Sequence, residues 1–191
     1  RFKQQWHKGE TLVNGIGQGY VLATPLQLAV MTARLANGGR AVTPWFAASG
    51  AASPAPEAIG VGKANLELVV KGMHDVIHGR RGTARAASLG IDGVEMAGKT
   101  GTSQVKRISK ADRATGAHKR KDRPWKDRDH ALFVCFAPFA SPRYAISVIV
   151  EHGEGGSTTA SPIARDIMRR CLELAPSTGD LRASLASPAE G

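Results

Sequence analysis

Three stretches of the chain place apolar residues at the three- and four-residue spacing of a helix face. In the first, Leu26, Ala29, Val30, Ala33 and Ala36 recur behind Thr24-Pro25, and Asn37-Gly38-Gly39 follows. A threonine N-cap with proline in the first turn starts a helix well, and glycine ends one. The second starts at Asn65, carries Leu66, Val69, Val70, Met73, Val76 and Ile77, and stops at Gly79. The third opens on Ser161-Pro162 and sets Ile163, Ala164, Ile167, Met168, Cys171 and Leu172 on one face. All three stripes are expected to face a core.

Elsewhere the pattern changes to short apolar runs. HALFVCFAP (His130 to Pro138) and YAISVIVEHG (Tyr144 to Gly153) read as strands, and the short link between them holds Pro142, which predicts an antiparallel hairpin. Val94 to Val105 is a candidate third strand. The order helix, helix, strand, strand, strand, helix predicts an α+β fold, an antiparallel sheet with helices packed on it. One domain is expected over residues 1–175, with a basic loop or insertion at 106–129 and a flexible tail at 176–191; no internal repeat is present.

Bulk properties narrow the picture. A length of 191 residues with 42% hydrophobic composition suits one domain with a real core. The longest apolar runs, Ala131 to Ala137 and Ala145 to Val150, fall far short of the roughly 20 residues that span a bilayer. The first residues, RFKQQWHKGE, lack a methionine and do not resemble a signal peptide, so the chain reads as a piece of a longer protein. Cys135 and Cys171 lie in apolar segments without metal-ligand spacing and are expected to be buried thiols, although a single bridge between them is open. No metal and no cofactor is expected.

The net charge of +10 is concentrated. Between Lys106 and His130 stand ten Lys/Arg against four Asp, with no apolar period. The only aromatic side chains there are Trp125 and the histidines, and interleaved aromatics on a basic face are what a nucleic-acid site wants, so no nucleic-acid partner is expected. Anionic lipid head groups or an acidic wall polymer suit such a segment equally.

The stretch GVEMAGKTGTSQVK, Gly93 to Lys106, satisfies three catalytic patterns at once. Gly93 to Thr100 fits the phosphate-binding loop of nucleotide hydrolases, but that loop needs a strand before it and a helix after it, and neither is signalled. Ser103 to Lys106 fits Ser-x-x-Lys, yet that chemistry needs both groups on one face of a helix, and on a strand residues three apart point oppositely. No other serine has Lys three positions later, and none has Asn or Asp two positions later. Lys99-Thr100-Gly101 fits the Lys-Thr-Gly element of penicillin-binding proteins and serine β-lactamases, which needs only a strand.

Its neighbours single it out. NGIGQGYVLATPLQLA (Asn14 to Ala29), AGKTGTSQV (Ala97 to Val105), DHALFVCFAP (Asp129 to Pro138) and YAISVIVEHGEGGSTTASPIARDI (Tyr144 to Ile167) occur in this order. Together they resemble class B penicillin-binding proteins of the elongation-specific type, from about Asn14 to Leu174. The resemblance implies the C-terminal part of a penicillin-binding transpeptidase fold. It implies a serine D,D-transpeptidase that cross-links peptidoglycan stem peptides ending in D-Ala-D-Ala and is trapped by β-lactams. The Ser-x-x-Lys helix and the Ser-x-Asn or Ser-x-Asp loop of that family would lie upstream, so the chain alone is expected to be inactive.

By the same resemblance, Lys99 and Thr102 are assigned catalytic roles, and Thr100, Gly101 and Thr102 substrate-binding roles. Lys99 would supply positive charge, the Thr102 N–H half of an oxyanion hole, and Gly101 a close approach for the peptide along the strand edge. Gly17, Gln18 and Gly19 read as a structural turn, and His130 and His152 as polar strand ends. The implied parent is anchored at the periplasmic face of the bacterial inner membrane. Its partners would be the rest of its own transpeptidase domain and membrane proteins of an elongation complex. The competing reading is an inactive scaffold or interaction fragment of the same protein.

Overall fold

The computed structural model describes residues 5–45, 55–106, 110–116 and 123–174. The flexible tail expected at 176–191 lies outside the described residues, as does part of the basic segment. The elements run α1 (Lys8–Gly15), α2 (Pro25–Ala36), α3 (Lys63–His78), β1 (Ala97–Ser103), α4 (Lys110–Thr115), β2 (His130–Ala137), β3 (Tyr144–Val150) and α5 (Ser161–Leu174). Short 3-10 turns at Arg85–Ala87 and Trp125–Asp127 and a π-turn at Gly156–Ala160 complete them.

The strands form one antiparallel sheet in the order β1-β2-β3, so the expected hairpin and third strand are both present. β2 is central and covered on both faces. Ala131, Phe133 and Cys135 pack with Ala164 and Met168 of α5, whereas Val134 and Phe136 pack with Met73 of α3 and Leu28 and Leu35 of α2. Burial on two faces explains why HALFVCFA is almost wholly apolar instead of alternating with polar residues.

Helix α2 begins as expected. The Thr24 hydroxyl accepts from the Gln27 N–H at 3.2 Å while the Gln27 side chain accepts from the Thr24 N–H at 2.8 Å, a reciprocal cap around Pro25. Its buried face differs from the expected one. Leu28, Leu35 and Ala36 contact the core and Thr32 is fully buried, whereas Leu26 is 48% exposed. A threonine concealed the true face: its hydroxyl donates to the Leu28 carbonyl at 2.8 Å, so it enters the interior without an unmet hydrogen bond.

The other stripes are also narrower than the sequence suggests. In α5 the row Ser161, Ala164 and Met168 is buried, while Ile163 and Ile167 are each more than two-fifths exposed. In α3 Leu66, Met73 and Ile77 are buried and Val69 is exposed. Val70, Val76 and Leu172 pack against the core at partial burial, whereas Val69, Ile163 and Ile167 at the margin of each stripe stay outside.

Two helices had no apolar signal. None of the residues of α1 is buried, and its start is held by the Glu10 carboxylate accepting from the His7 N–H at 2.5 Å. Helix α4 replaces loop in part of the basic segment, six residues long and fixed locally by Thr115 donating to the Ala111 carbonyl. The strand-end histidines close that segment onto the sheet. The His152 N–H donates to His130 Nδ1 at 2.9 Å, and the His152 ring reaches the Arg128 carbonyl at 2.9 Å and packs against Trp125 at a tilt of 57°.

Cys135 and Cys171 are both free thiols, the first buried and the second partly exposed. Burial pushes the Cys135 thiol from 9.0 up to about 12, because the thiolate would lose its hydration. The unfolded chain therefore loses this proton first as pH rises. Stability present below about pH 9 is lost between about 9 and 12, by an amount on the order of 4 kcal/mol if the full shift applies. In the complete protein at pH 8, iodoacetamide is expected to modify Cys171 and to reach Cys135 only on unfolding, as read by peptide mass spectrometry. Equal modification of both thiols in the native state would contradict this burial.

Candidate active site

Of the three patterns in Gly93 to Lys106, the structure supports one. Thr100 sits within a strand that runs on to Ser103, so no helix begins at the Lys-Thr end as a phosphate-binding loop requires. Ser103 is the last residue of β1 and Lys106 lies in the bend beyond, so the two do not share a helix face. Lys99-Thr100-Gly101 occupies the middle of β1, in register with Val134, Phe133 and Leu132.

β1 is an outer strand of the described sheet, and side chains define which of its backbone groups face outward. Lys99 Nζ donates to the Thr100 carbonyl at 2.6 Å, and Gln18 Nε2 donates to the Thr102 carbonyl at 3.2 Å. Both carbonyls therefore point away from β2. In an antiparallel ladder a residue's N–H and C=O face the same neighbour, so the Thr102 N–H is directed to the same open edge. Lys99 and Gly101 alternate with these residues and face β2 with their backbone. The ammonium of Lys99 reaches back to the edge by its own stem, and the side chain is exposed.

The four residues expected from sequence thus divide. Lys99 and Thr102 deliver an ammonium and backbone groups to one edge. The Thr100 hydroxyl is instead within 3.3 Å of the Thr83 hydroxyl, on the segment leaving α3. Thr83 carried no sequence signal, because a lone threonine in an Arg-Gly-rich turn has no pattern. Gly101 leaves a Cβ-sized space whose nearest neighbour would be Leu132 Cβ at 3.3 Å. Behind this position the chain returns at Gly156, where an added Cβ would lie 2.6 Å from the Gly101 carbonyl oxygen and closer still to that of Leu132. Gly156, in the chain after β3, therefore backs the strand directly.

The Gly17-Gln18-Gly19 turn has a further role beyond shape. Gly17 and Gly19 have φ of 75° and 102°, the left-handed region that glycine enters without a steric cost. That turn presents Gln18 to Thr102 across 84 positions of sequence. Sequence alone marked the turn and not its partner.

An antiparallel sheet between helices, with a Lys-Thr-Gly strand at its edge, defines the class. The chain belongs to the penicillin-binding protein transpeptidase domain family, matching it over residues 2–169. Within that family it is similar to the peptidoglycan D,D-transpeptidase MrdA of Haemophilus influenzae, at 36% identity over 88% of this chain. It is also similar to MrdA of Acinetobacter baumannii, at 40% identity over 83% of this chain. Among solved structures, PBP2 in its complex with MreC from Helicobacter pylori superposes with a TM-score of 0.74 at 35% identity, over 92% of this chain and 29% of that one. PBP2 of Pseudomonas aeruginosa in complex with WCK 5153 gives 0.63 at 39% identity, over 98% of this chain and 37% of that one. The chain spans about a quarter of the length of these curated relatives, 26% and 24% respectively.

Proposed function

We propose that this chain forms the substrate-holding wall of a peptidoglycan D,D-transpeptidase that acts during cell elongation. The observation that carries the proposal is the open edge of β1, where an ammonium and outward backbone groups lie together. A stem peptide ending in D-Ala-D-Ala would lie along this edge as an added strand. A serine hydroxyl contributed by the rest of the domain would attack the penultimate carbonyl, giving up its proton and forming a tetrahedral oxyanion whose collapse leaves an acyl ester on the serine. The Thr102 N–H would donate to that oxyanion, and collapse would expel the terminal D-Ala, which leaves with a proton as a free amine. An amine of a second stem peptide would then attack the ester, forming the cross-link and returning the proton to the serine.

Lys99 fits two tasks here. Its ammonium would steer the anionic peptide terminus and lower the electrostatic cost of activating the serine hydroxyl. The Thr102 hydroxyl would bind the terminal carboxylate, and that of Thr100 would join it on exchanging its contact with Thr83. A β-lactam would enter the same edge and remain on the serine as a stable ester. The parent would sit at the periplasmic face of the inner membrane and work with membrane proteins of an elongation complex; the similarity to a PBP2 solved together with MreC supports a protein partner. Among the described residues no helix is long and apolar enough to cross a membrane, so an anchor would be supplied elsewhere.

Fluorescent penicillin tests the reading. The complete protein is expected to become covalently labelled, and labelling is expected to be blocked by prior exposure to a β-lactam. The 191-residue chain by itself is expected to remain unlabelled, since its one Ser-x-x-Lys ends a strand. A complete protein that takes no label would remove the transpeptidase assignment, and a labelled isolated chain would place the nucleophile within it.

A further inference from the structure

Away from the β1 edge, three potential metal ligands converge where α3 ends and β1 begins. His74 and His78 stand four residues apart on α3, their rings stacked at 4.5 Å and 22°. Glu95, two residues ahead of β1, places Oε2 at 3.1 Å from His74 Nε2 and Oε1 at 4.0 Å from His78 Nδ1. One ligand atom from each of the three lies within 4.8 Å of the others. We propose that His74, His78 and Glu95 bind a divalent transition-metal ion, with Zn2+ as the best-matched ion.

The donor set suits that chemistry. Two imidazole nitrogens and one carboxylate oxygen favour Zn2+, Co2+ or Ni2+ over Ca2+ and Mg2+, which prefer all-oxygen sites. Bonds of about 2.1 Å in a tetrahedral arrangement set ligand atoms about 3.4 Å apart. The ligand atoms now lie within 4.8 Å of one another, so an ion would have to draw the side chains closer together as it binds. Both imidazole side chains are about one-fifth exposed, at 21% and 23%, and Glu95 is 54% exposed. Water can therefore complete the coordination.

The surroundings also prepare each ring for its task. A ligating histidine generally gives its second nitrogen to a carbonyl or carboxylate, which fixes the tautomer and the ring direction. His78 Nε2 is 3.1 Å from the Met96 carbonyl, which can only accept, so the proton sits on Nε2 and the Nδ1 lone pair is left toward Glu95. His74 Nδ1 lies 3.8 Å from Asp75 Oδ1, leaving Nε2 as its metal-facing atom. Asp75 is in turn held by Lys71 at 3.1 Å, and the Phe139 ring closes the side of His74 at 4.5 Å.

An ion at this point would tie the last turns of α3 to the residue that leads into β1, four positions ahead of Lys99. The site is a clamp on the position of that strand. It is independent of the transpeptidase reading, because it rests on residues outside the β1 edge.

The test uses the complete protein, stripped with chelator and titrated with Zn2+ by calorimetry and with Co2+ by visible absorption. His74→Ala, His78→Ala and Glu95→Gln are compared with wild type, with circular dichroism as a folding check. The wild type is expected to take up one more Zn2+ per chain than His74→Ala or His78→Ala, and Glu95→Gln to weaken that equivalent by about 10- to 100-fold. The Co2+ spectrum should lose the corresponding component, and Zn2+ should raise the wild-type Tm by several degrees more than that of the variants. Glu95→Gln is nearly isosteric and keeps the surface fold, so it decides the matter if a histidine variant fails to fold. Equal stoichiometry, affinity and Co2+ spectrum in wild type and Glu95→Gln would overturn the proposal.

Discussion

Replacing Lys99 by Ala in the complete protein is expected to lower acylation by β-lactams by roughly 100-fold or more, with Tm unchanged within a degree or two. The size follows from the kind of contribution lost. Removing one preorganised group that stabilises developing charge in a dry site commonly costs roughly 100- to 1,000-fold. The absence of a stability effect follows from the structure, in which Lys99 is exposed and its ammonium makes one described contact, to the carbonyl of the next residue. Stopped-flow or gel-based acylation rates, read beside a thermal melt, check both halves. An unchanged rate would remove Lys99 from the chemistry, and a large drop in Tm would make it a structural residue. Lys99→Arg is informative as well, since it keeps the charge and changes the geometry.

The second large effect is expected from a residue that touches no substrate. Gly156→Ala adds a Cβ that would meet the carbonyl oxygens of Leu132 and Gly101, the latter at 2.6 Å, and the Gly101 nitrogen at 3.1 Å. These neighbours are backbone of two paired strands, which cannot rotate aside as a side-chain tip can. Overpacking of this kind costs roughly 1–3 kcal/mol. The easier direction of relief is outward displacement of β1, and misplacing reacting groups by about 1 Å can reduce a rate about 100-fold. Gly156→Ala should therefore lower Tm and acylation together. Gly72→Ala is the control: nothing lies within 4 Å of its Cβ position in mid-α3, so stability should hold or rise slightly. A Gly156→Ala protein with wild-type rate and Tm would show that the π-turn does not support the strand.

Local signals made the frame legible before any coordinates. Thr24-Pro25 and Ser161-Pro162 mark helix starts within a residue of those observed, and the apolar runs around Pro142 mark the hairpin. The Lys-Thr-Gly strand was legible because the segments flanking it occur in a family order, and the family match bears this out. What escaped was long-range or polar. Thr32 is buried because a carbonyl one turn back accepts its hydrogen bond, and no hydropathy pattern shows that. Gln18 meets Thr102 and Thr83 meets Thr100 only once the chain has folded, since the pairs are 84 and 17 residues apart. Apolar residues such as Ile163 and Ile167 fit the helix period and still point outward, because period assigns a face and the neighbouring elements decide how much of it is covered.

The outward carbonyls of Thr100 and Thr102 have another consequence. A strand edge kept open for a guest is equally open to a second copy of itself, and unpaired edges are where chains aggregate. β1 carries Lys99, Thr100, Thr102 and Ser103 along that border, with no large apolar side chain after Ala97. Charge and small hydroxyls make a poor seam for two identical strands, because a lysine would have to be brought into the joint and stripped of water. A peptide bearing a carboxylate meets no such barrier. On the proposed reading, the composition of the edge would discriminate between guests before any chemistry occurs, admitting an anion and discouraging self-pairing.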